Sequence, residues 1–275
     1  MIPAPFEYEV AESAEHAVQL LGQHGDEAKI LAGGHSLLPL MRLRLAYPTA
    51  LIDVGRIPDL SYVREEGDHI AIGALARHED VHFDATLERH CPIVAHAAGQ
   101  IGDPQVRHCG TMGGTVCHGD PAGDMPSVLL ALDAEFTVLG PNGARNVAAA
   151  DFFTGLFEVD LSAQEMLTEV RVPKSGDAGW AYVKFAHRAQ DWATVGVAAV
   201  ARDGGAAVGL TSMGETPLRA RAVEEALASG ADPAAAAERS TEGTNPVSDP
   251  MGSAEYRSAM CKVLTRRALE QALSR

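Results

Sequence analysis

Two glycine pairs constrain this chain more than any other feature. Ala32-Gly33-Gly34-His35-Ser36 and Thr111-Met112-Gly113-Gly114-Thr115 repeat one pattern about eighty positions apart. Lacking Cβ atoms, consecutive glycines let backbone N–H groups turn inward as a nest for an anion such as phosphate. Ser36, Thr111 and Thr115 add hydroxyl donors. Apolar runs at Leu37 to Leu45 and Met125 to Leu132, the second opened by Asp124 with Pro126 in its first turn, predict a helix after each loop. Helix N-termini favour an anion too. One Gly-Gly alone is equally a plain tight turn, whereas two in matching settings point to a large diphosphate ligand gripped from both sides.

With 275 residues the chain can bury a core as one large domain or two to three small ones. A formal net charge of -15, from 22 Lys plus Arg against 37 Asp plus Glu, argues against nonspecific nucleic-acid or anionic-membrane binding. Cys91, Cys109, Cys117 and Cys261 form no C-x-x-C pair, so no zinc, iron-sulfur or disulfide framework is indicated and reduced cytoplasmic thiols are the simplest reading. Cys109 and Cys117 bracket the second glycine loop, either as a reactive thiol or as small buried filler. No stretch reads as an export signal or a membrane span, so any work at the inner membrane would be peripheral and through a partner.

In chain order, Ser13 caps a helix over Ala14 to His24, Lys29 to Ala32 reads as a strand entering the first glycine loop, and Ala50 to Val54 as a second strand. This makes a small α/β lobe. A second lobe opens with a β-hairpin, Leu60 to Arg64 and His69 to Ala74, and continues through helices at Glu79 to Asp84 and Pro92 to Gln100. Strands at Glu135 to Leu139, Arg145 to Val147 and Glu165 to Val172 complete it. Polar Pro173-Lys174-Ser175-Gly176-Asp177 marks a boundary. Beyond it come three strand-like runs, Gly179 to Ala186, Gly196 to Ala201 and Ala206 to Ser212, then helices at Leu218 to Ala228, Pro233 to Ser240 and Ala254 to Leu273, an α+β arrangement.

Asp120 and Asp124 lie four residues apart beyond the second glycine pair. Carboxylates repel phosphate, so they suit neutral ligand hydroxyls, and Asp124 equally suits a helix cap. Lys184, on a strand, could face an electron-rich ring or solvent, and Trp192 could cover a flat cofactor or sit in a core. His35 and His118 could donate to a ligand oxygen or point into solvent. His78-Glu79-Asp80-Val81-His82 matches the H-E-x-x-H zinc pattern, but it follows a strand too closely for a long ligand-bearing helix, and no obvious third ligand stands out although His90 and His96 are at hand. The plain alternative is an exposed first helical turn. No Rossmann G-x-G-x-x-G follows a strand, and no Walker loop or G-x-S-x-G elbow is present.

Ala32-Gly33-Gly34-His35-Ser36-Leu37-Leu38-Pro39, with Ile101-Gly102-Asp103-Pro104-Gln105 and Thr111-Met112-Gly113-Gly114-Thr115 through Asp120-Pro121-Ala122-Gly123-Asp124-Met125-Pro126, resembles the FAD-binding medium subunit of molybdenum hydroxylases, most of all the aerobic carbon monoxide dehydrogenase type. The likeness runs almost end to end. It implies an α+β fold: a two-lobed FAD-binding domain of two α/β subdomains (PCMH, vanillyl-alcohol-oxidase type) and a small C-terminal α+β domain with a three-stranded antiparallel sheet. The expected bounds are 1–57, 58–173 and 174–275. Carried over by position, Leu31, Ala32, Gly33, Gly34, His35, Ser36, Leu37 and Leu38, with Gly110, Thr111, Met112, Gly113, Gly114 and Thr115, would cradle FAD. Ile101 would pack on it, Asp120 and Asp124 would bind hydroxyls, Leu167 would approach through its backbone, and Lys184 would lie beside the isoalloxazine. Trp192 falls where relatives tend to have a shielding Tyr, and Thr115, His108-Cys109 and Met112 depart from the residues common at their positions.

The resemblance also implies partners: a small subunit with two [2Fe-2S] clusters and a large molybdopterin subunit, usually as a dimer of heterotrimers. The expected function is electron relay from a partner's cluster through FAD to an external acceptor, with no acid–base catalytic residue and no metal in this chain. The alternative is a self-sufficient FAD-dependent oxidase of a small alcohol or amine, which needs a substrate pocket and a base that the sequence does not offer.

Overall fold

The computed structural model describes residues 2–274, and Met1 and Arg275 lie outside the described residues. The first lobe comprises β1 (Glu7–Val10), α1 (Ala14–His24), β2 (Ala28–Leu31), α2 (Leu37–Leu43) and β3 (Ala50–Asp53). Its strands are parallel in the order β1-β3-β2. Ser13 caps α1 by accepting from the His16 N–H at 3.1 Å, the role its residue type suggests. The apolar face of α1, with Val18, Leu20 and Leu21, packs on Ala28, Ala50 and Ile52 and also on Leu75 and Met166 of the second lobe. One small core thus joins the two lobes.

The second lobe contains β4 (Val63–Glu66), β5 (His69–Gly73) and six helices: α3 (His78–His82), α4 (Ala85–His90), α5 (Pro92–Gly99), α6 (Pro104–Cys109), α7 (Met112–His118) and α8 (Asp124–Ala131). There follow the hairpin β6 (Glu135–Gly140) and β7 (Gly143–Ala148), α9 (Ala149–Phe152), a small hairpin β8 (Phe153–Gly155) and β9 (Glu158–Val159), and β10 (Met166–Pro173). The sheet runs β4-β5-β10-β6-β7, so the last strand inserts at its centre, antiparallel to both neighbours. Ile70, Ile72, Phe136, Val138, Val170 and Val172 are buried in the core under the helices.

The C-terminal unit has β11 (Trp180–Phe185), β12 (Val195–Arg202), β13 (Gly205–Thr211) and β14 (Leu218–Arg219), then α10 (Arg221–Ala228), α11 (Pro233–Ala237) and α12 (Ala254–Leu273). Its antiparallel sheet has four strands where three were expected. The fourth is two residues long, too short to alternate visibly, and it runs almost directly into the helix that the sequence predicts from Leu218. The strand β1, the helices α4, α6, α7 and α9, and the hairpin β8–β9 were also not anticipated, all being short or polar.

β12 is apolar on both faces for a physical reason. Val195, Val197 and Ala199 pack towards Leu264, Ala268 and Leu269 of α12. Ala198 and Val200 belong instead to the large core with α5 and α8. Helices therefore cover both sides of this sheet, and one of the covering layers belongs to the second lobe. The closest approach is at Gly209 on β13, where a Cβ would overlap the Ser127 carbonyl of α8. Beside it the Ser127 and Thr211 hydroxyls share a buried hydrogen bond of 2.5 Å.

Gly209→Ala is accordingly expected to lower stability by about 1–3 kcal/mol, the usual effect of overpacking a core. A urea midpoint equal to that of the wild type would contradict the packing described.

Candidate functional site

The first glycine loop leaves the end of β2 and turns through Gly34, whose φ of 73° lies in the left-handed region, before α2 begins. Gly33 is pressed against the segment that precedes the second loop. A Cβ there would overlap the Cys109 carbonyl oxygen and come within 3.0 Å of the Gly110 Cα. That segment is held from behind: the Arg77 guanidinium donates to the Cys109 carbonyl, and the His78 N–H donates to the Gly110 carbonyl at 3.1 Å. The two loops, distant in sequence, are in backbone contact.

They differ in what their N–H groups do. Those of Gly33, Gly34, His35 and Ser36 meet no acceptor among the described residues, and Ser36 stands at the N-cap of α2 without using its hydroxyl as a cap. The second pair lies inside the first turn of α7 rather than in a loop. Met112 donates to the Ala76 carbonyl at 2.9 Å, Gly113 to the Ala74 carbonyl at 2.8 Å and Gly114 to the Thr111 hydroxyl at 3.0 Å. The inward-turned N–H groups expected of this loop are thus consumed by the protein. Gly114 remains exposed and Thr115 half-buried, so this side still offers close approach and a hydroxyl.

By sequence Asp124 suits a helix cap or a ligand acceptor. The N-cap is Gly123, and Asp124 is the first residue of α8, buried, with Oδ2 at 2.8 Å from Lys184 Nζ and Oδ1 accepting from the Tyr182 hydroxyl at 2.6 Å. Lys184 also donates to the Gln100 carbonyl at 3.0 Å, adjacent to Ile101. Two residues expected to meet different parts of a ligand therefore meet each other. Burial raises the pKa of the Asp124 carboxyl against the opposing pull of Lys184 and Tyr182, and it raises that of the Tyr182 hydroxyl as well. Period-2 alternation on β11 puts Tyr182 on the face of Lys184, the one sequence signal that marks this unforeseen member.

The remaining positions are scattered around this centre. Asp120 is half-buried, with Oδ1 accepting from the Ala122 N–H at 2.8 Å and Oδ2 left as an acceptor. Ile101 is half-buried beside the large core. Leu167 is buried on β10 at an irregularity in its pairing with β6, and Cys117 packs against the same core. Burial pushes that thiol up to about 12, which leaves Cys117 as filler rather than a nucleophile. His35 and Leu38 are exposed, and Trp192, 66% exposed, stands in the loop between β11 and β12 rather than in a core.

The H-E-x-x-H segment does not converge on one point. Glu79 pairs with Arg107 at 2.7 Å, His82 Nδ1 meets the Ala95 carbonyl at 2.9 Å, and His78 is buried rather than exposed, its pKa lowered to about 4 by burial and the nearby Arg107 and Arg77. Among the described residues no cluster of three His, Cys, Asp or Glu side chains is placed to hold a metal ion. None of the described helices is long and apolar enough to cross a membrane.

Residues 4–175 match the family described as FAD binding domain in molybdopterin dehydrogenase, and residues 180–272 match the CO dehydrogenase flavoprotein C-terminal domain. The chain is similar to the carbon monoxide dehydrogenase medium chain of Hydrogenophaga pseudoflava, 42% identical over 100% of this chain and 99% of that protein. It is also similar to the 6-hydroxypseudooxynicotine dehydrogenase complex subunit alpha of Paenarthrobacter nicotinovorans, 37% identical over 100% of this chain and 97% of that one. Among solved structures, the H. pseudoflava carbon monoxide dehydrogenase lacking the Mo-pyranopterin moiety superposes with a TM-score of 0.96 at 43% identity, covering 100% of this chain and 99% of that chain. The chain belongs to the family of FAD-binding medium subunits of molybdenum hydroxylases. Its C-terminal domain is of the carbon monoxide dehydrogenase flavoprotein kind, and the chain is an oxidoreductase subunit rather than a self-sufficient oxidase.

Lys184→Met strands the Asp124 carboxylate in the interior and is expected to cost about 3–5 kcal/mol at neutral pH. A carboxyl whose folded pKa lies above its unfolded value, near 3.9, stabilises the fold below that value and loses the contribution as pH rises through the folded pKa. The deficit of the variant should therefore shrink towards pH 4, grow towards pH 7, and be partly relieved by adding Asp124→Asn. A pH-independent difference in urea midpoints would contradict the pairing.

Proposed function

We propose that the chain holds FAD with its diphosphate on the Gly33–Ser36 nest and relays electrons from the [2Fe-2S] clusters of a small partner subunit to an external acceptor. Substrate would be oxidised at a molybdopterin in a large partner subunit, the whole a carbon monoxide dehydrogenase-like dimer of heterotrimers in the cytoplasm, any membrane contact being made by partners. The carrying observation is the run of four successive N–H groups without acceptors, held against Cys109 and Gly110 by a glycine that admits no side chain. The four donors lie at the surface, where Gly33, Gly34 and Ser36 are half-buried and His35 is exposed, and such a run of open N–H groups fits an anion.

The other side chains divide the ligand by chemistry. Leu31, Ala32, Leu37 and Leu38 flank the nest, while Gly110, Thr111, Met112, Gly113, Gly114 and Thr115 form the opposite wall, where Gly114 and Thr115 give closest access. Asp120, with an oxygen to spare, suits a neutral hydroxyl. Lys184 and Asp124 act as one unit that fixes the Gln100–Ile101 backbone, so their influence on the flavin is positional and electrostatic. Leu167 would lend backbone, and Trp192 an exposed aromatic face for the ring. When bound, FAD supplies reversible electron uptake, and the chain supplies binding, orientation and field. We place the unit boundaries at 57/58 and 173/174.

Charge-assisted hydrogen bonds contribute about 1.5–3 kcal/mol each, so losing one should weaken binding roughly tenfold or more. The visible flavin spectrum after FAD incubation and desalting should show a 1:1 band for the wild type, a weakened one for Ser36→Ala, whose hydroxyl the fold does not use, and none for Gly33→Ala. Equal retention by all three proteins would refute the nest, and a colourless wild type would refute FAD binding by the isolated chain.

A further inference from the structure

Arg77 stands where the two glycine segments meet. It precedes α3 as its N-cap residue, and its backbone is bridged to Thr111, just ahead of the second glycine pair. Its guanidinium donates to the Cys109 carbonyl oxygen, the same atom that a Cβ on Gly33 would overlap. A single carbonyl oxygen therefore separates this cation from the first glycine of the nest. The Arg77 side chain is half-buried and has no carboxylate partner among the described residues. In that it is alone. Every other described lysine or arginine that the fold covers even in part is ion-paired, as Arg107 is with Glu79 and Arg145 with Glu165, whereas unpaired ones such as Arg42, Arg44 and Arg56 are exposed. Beyond the bond to Cys109, the remaining N–H groups of Arg77 meet no acceptor among the described residues. A guanidinium taken partly out of water, on a chain of net charge -15, is left without a counter-charge.

We propose that Arg77 supplies the counter-charge for the ligand diphosphate and so makes the site select diphosphate-bearing flavins. The inference rests on the cofactor reading above and adds a residue to it. The nest offers hydrogen bonds but only partial charges, and a diphosphate is dianionic. Other cations of the site are already engaged: Lys184 is held by Asp124 at 2.8 Å and Arg107 by Glu79 at 2.7 Å. The adjacent His78 imidazole, kept neutral by burial and by the charges of Arg107 and Arg77, adds none of its own. Arginine suits the position because its planar fork can keep one N–H on the carbonyl and present others to phosphate oxygens. The same side chain then ties the ligand to the contact between the lobes.

The test measures dissociation constants of the full chain for FAD, ADP and riboflavin at low and high salt, in the wild type, Arg77→Gln and Arg77→Lys, with the exposed Arg56→Gln as control. Arg77→Gln is expected to weaken FAD and ADP about tenfold or more, the scale of a lost charge-assisted hydrogen bond, and to leave riboflavin, which has no phosphate, within about twofold. Salt should weaken FAD binding by the wild type more than by Arg77→Gln. Arg77→Lys should recover most of the loss, and the control should match the wild type. Equal FAD affinity of the wild type and Arg77→Gln would overturn the proposal and leave the cofactor reading intact. So would a parallel loss of riboflavin and FAD in both Arg77 variants, the mark of a role confined to bracing the Cys109 carbonyl. Arg77-dependent binding of ADP by a chain that binds no FAD would reject the cofactor reading and sustain the counter-charge. A wild type that binds neither would reject both.

Discussion

The contact of Gly33 with the Cys109–Gly110 backbone is the constraint on which the site depends. It turns two loops from different lobes into one wall, and it holds because the second lobe has already engaged the carbonyls involved, through Arg77 at Cys109 and the His78 backbone at Gly110. The nest is therefore positioned from outside itself. A loop whose N–H groups face no protein acceptor would otherwise be free to rearrange, and the ordering entropy would be charged against ligand binding.

The two glycine pairs also show how one sequence pattern can serve opposite ends. At Gly33-Gly34 the backbone polar groups are left over, while at Gly113-Gly114 they are used by Ala74 and Thr111. The first arrangement offers hydrogen bonds to a guest and the second gives the wall that faces the guest its rigidity. Both need glycine, one for a left-handed turn and a carbonyl contact, the other because a Cβ on Gly113 would lie 2.7 Å from the Ala74 methyl.

Sequence reasoning found the parts whose signals are local. Helix α1, capped at Ser13, and helix α12, over Ala254–Leu273, lie where the sequence places them. The resemblance carried by the glycine loops led to the family. What stayed hidden was who pairs with whom. No spacing rule links Lys184 to Asp124 sixty positions earlier, and the same carboxylate type serves equally as cap, ligand acceptor or buried ion. His78 misled in the same way: its motif spacing is local, but the Arg107 that claims Glu79 comes from a different helix. The two-residue β14 exists because β13 offers it an edge, which is a property of the sheet rather than of Leu218 and Arg219.

The Asp124–Lys184 bond has a consequence for how this chain can be divided. The two family modules meet between residues 175 and 180, a polar stretch that invites cutting into an amino-terminal half and a carboxy-terminal half. Yet the carboxylate lies on one side of that seam and its ammonium on the other, alongside the Ser127–Thr211 hydroxyl pair and the Gly209 contact. Severing the peptide would leave those bonds in place, whereas separating the pieces would set a lone anion in an apolar wall. Covalent continuity and structural unity are different things in this protein, and unity is held by the core and the buried polar contacts shared across the seam rather than by the linker.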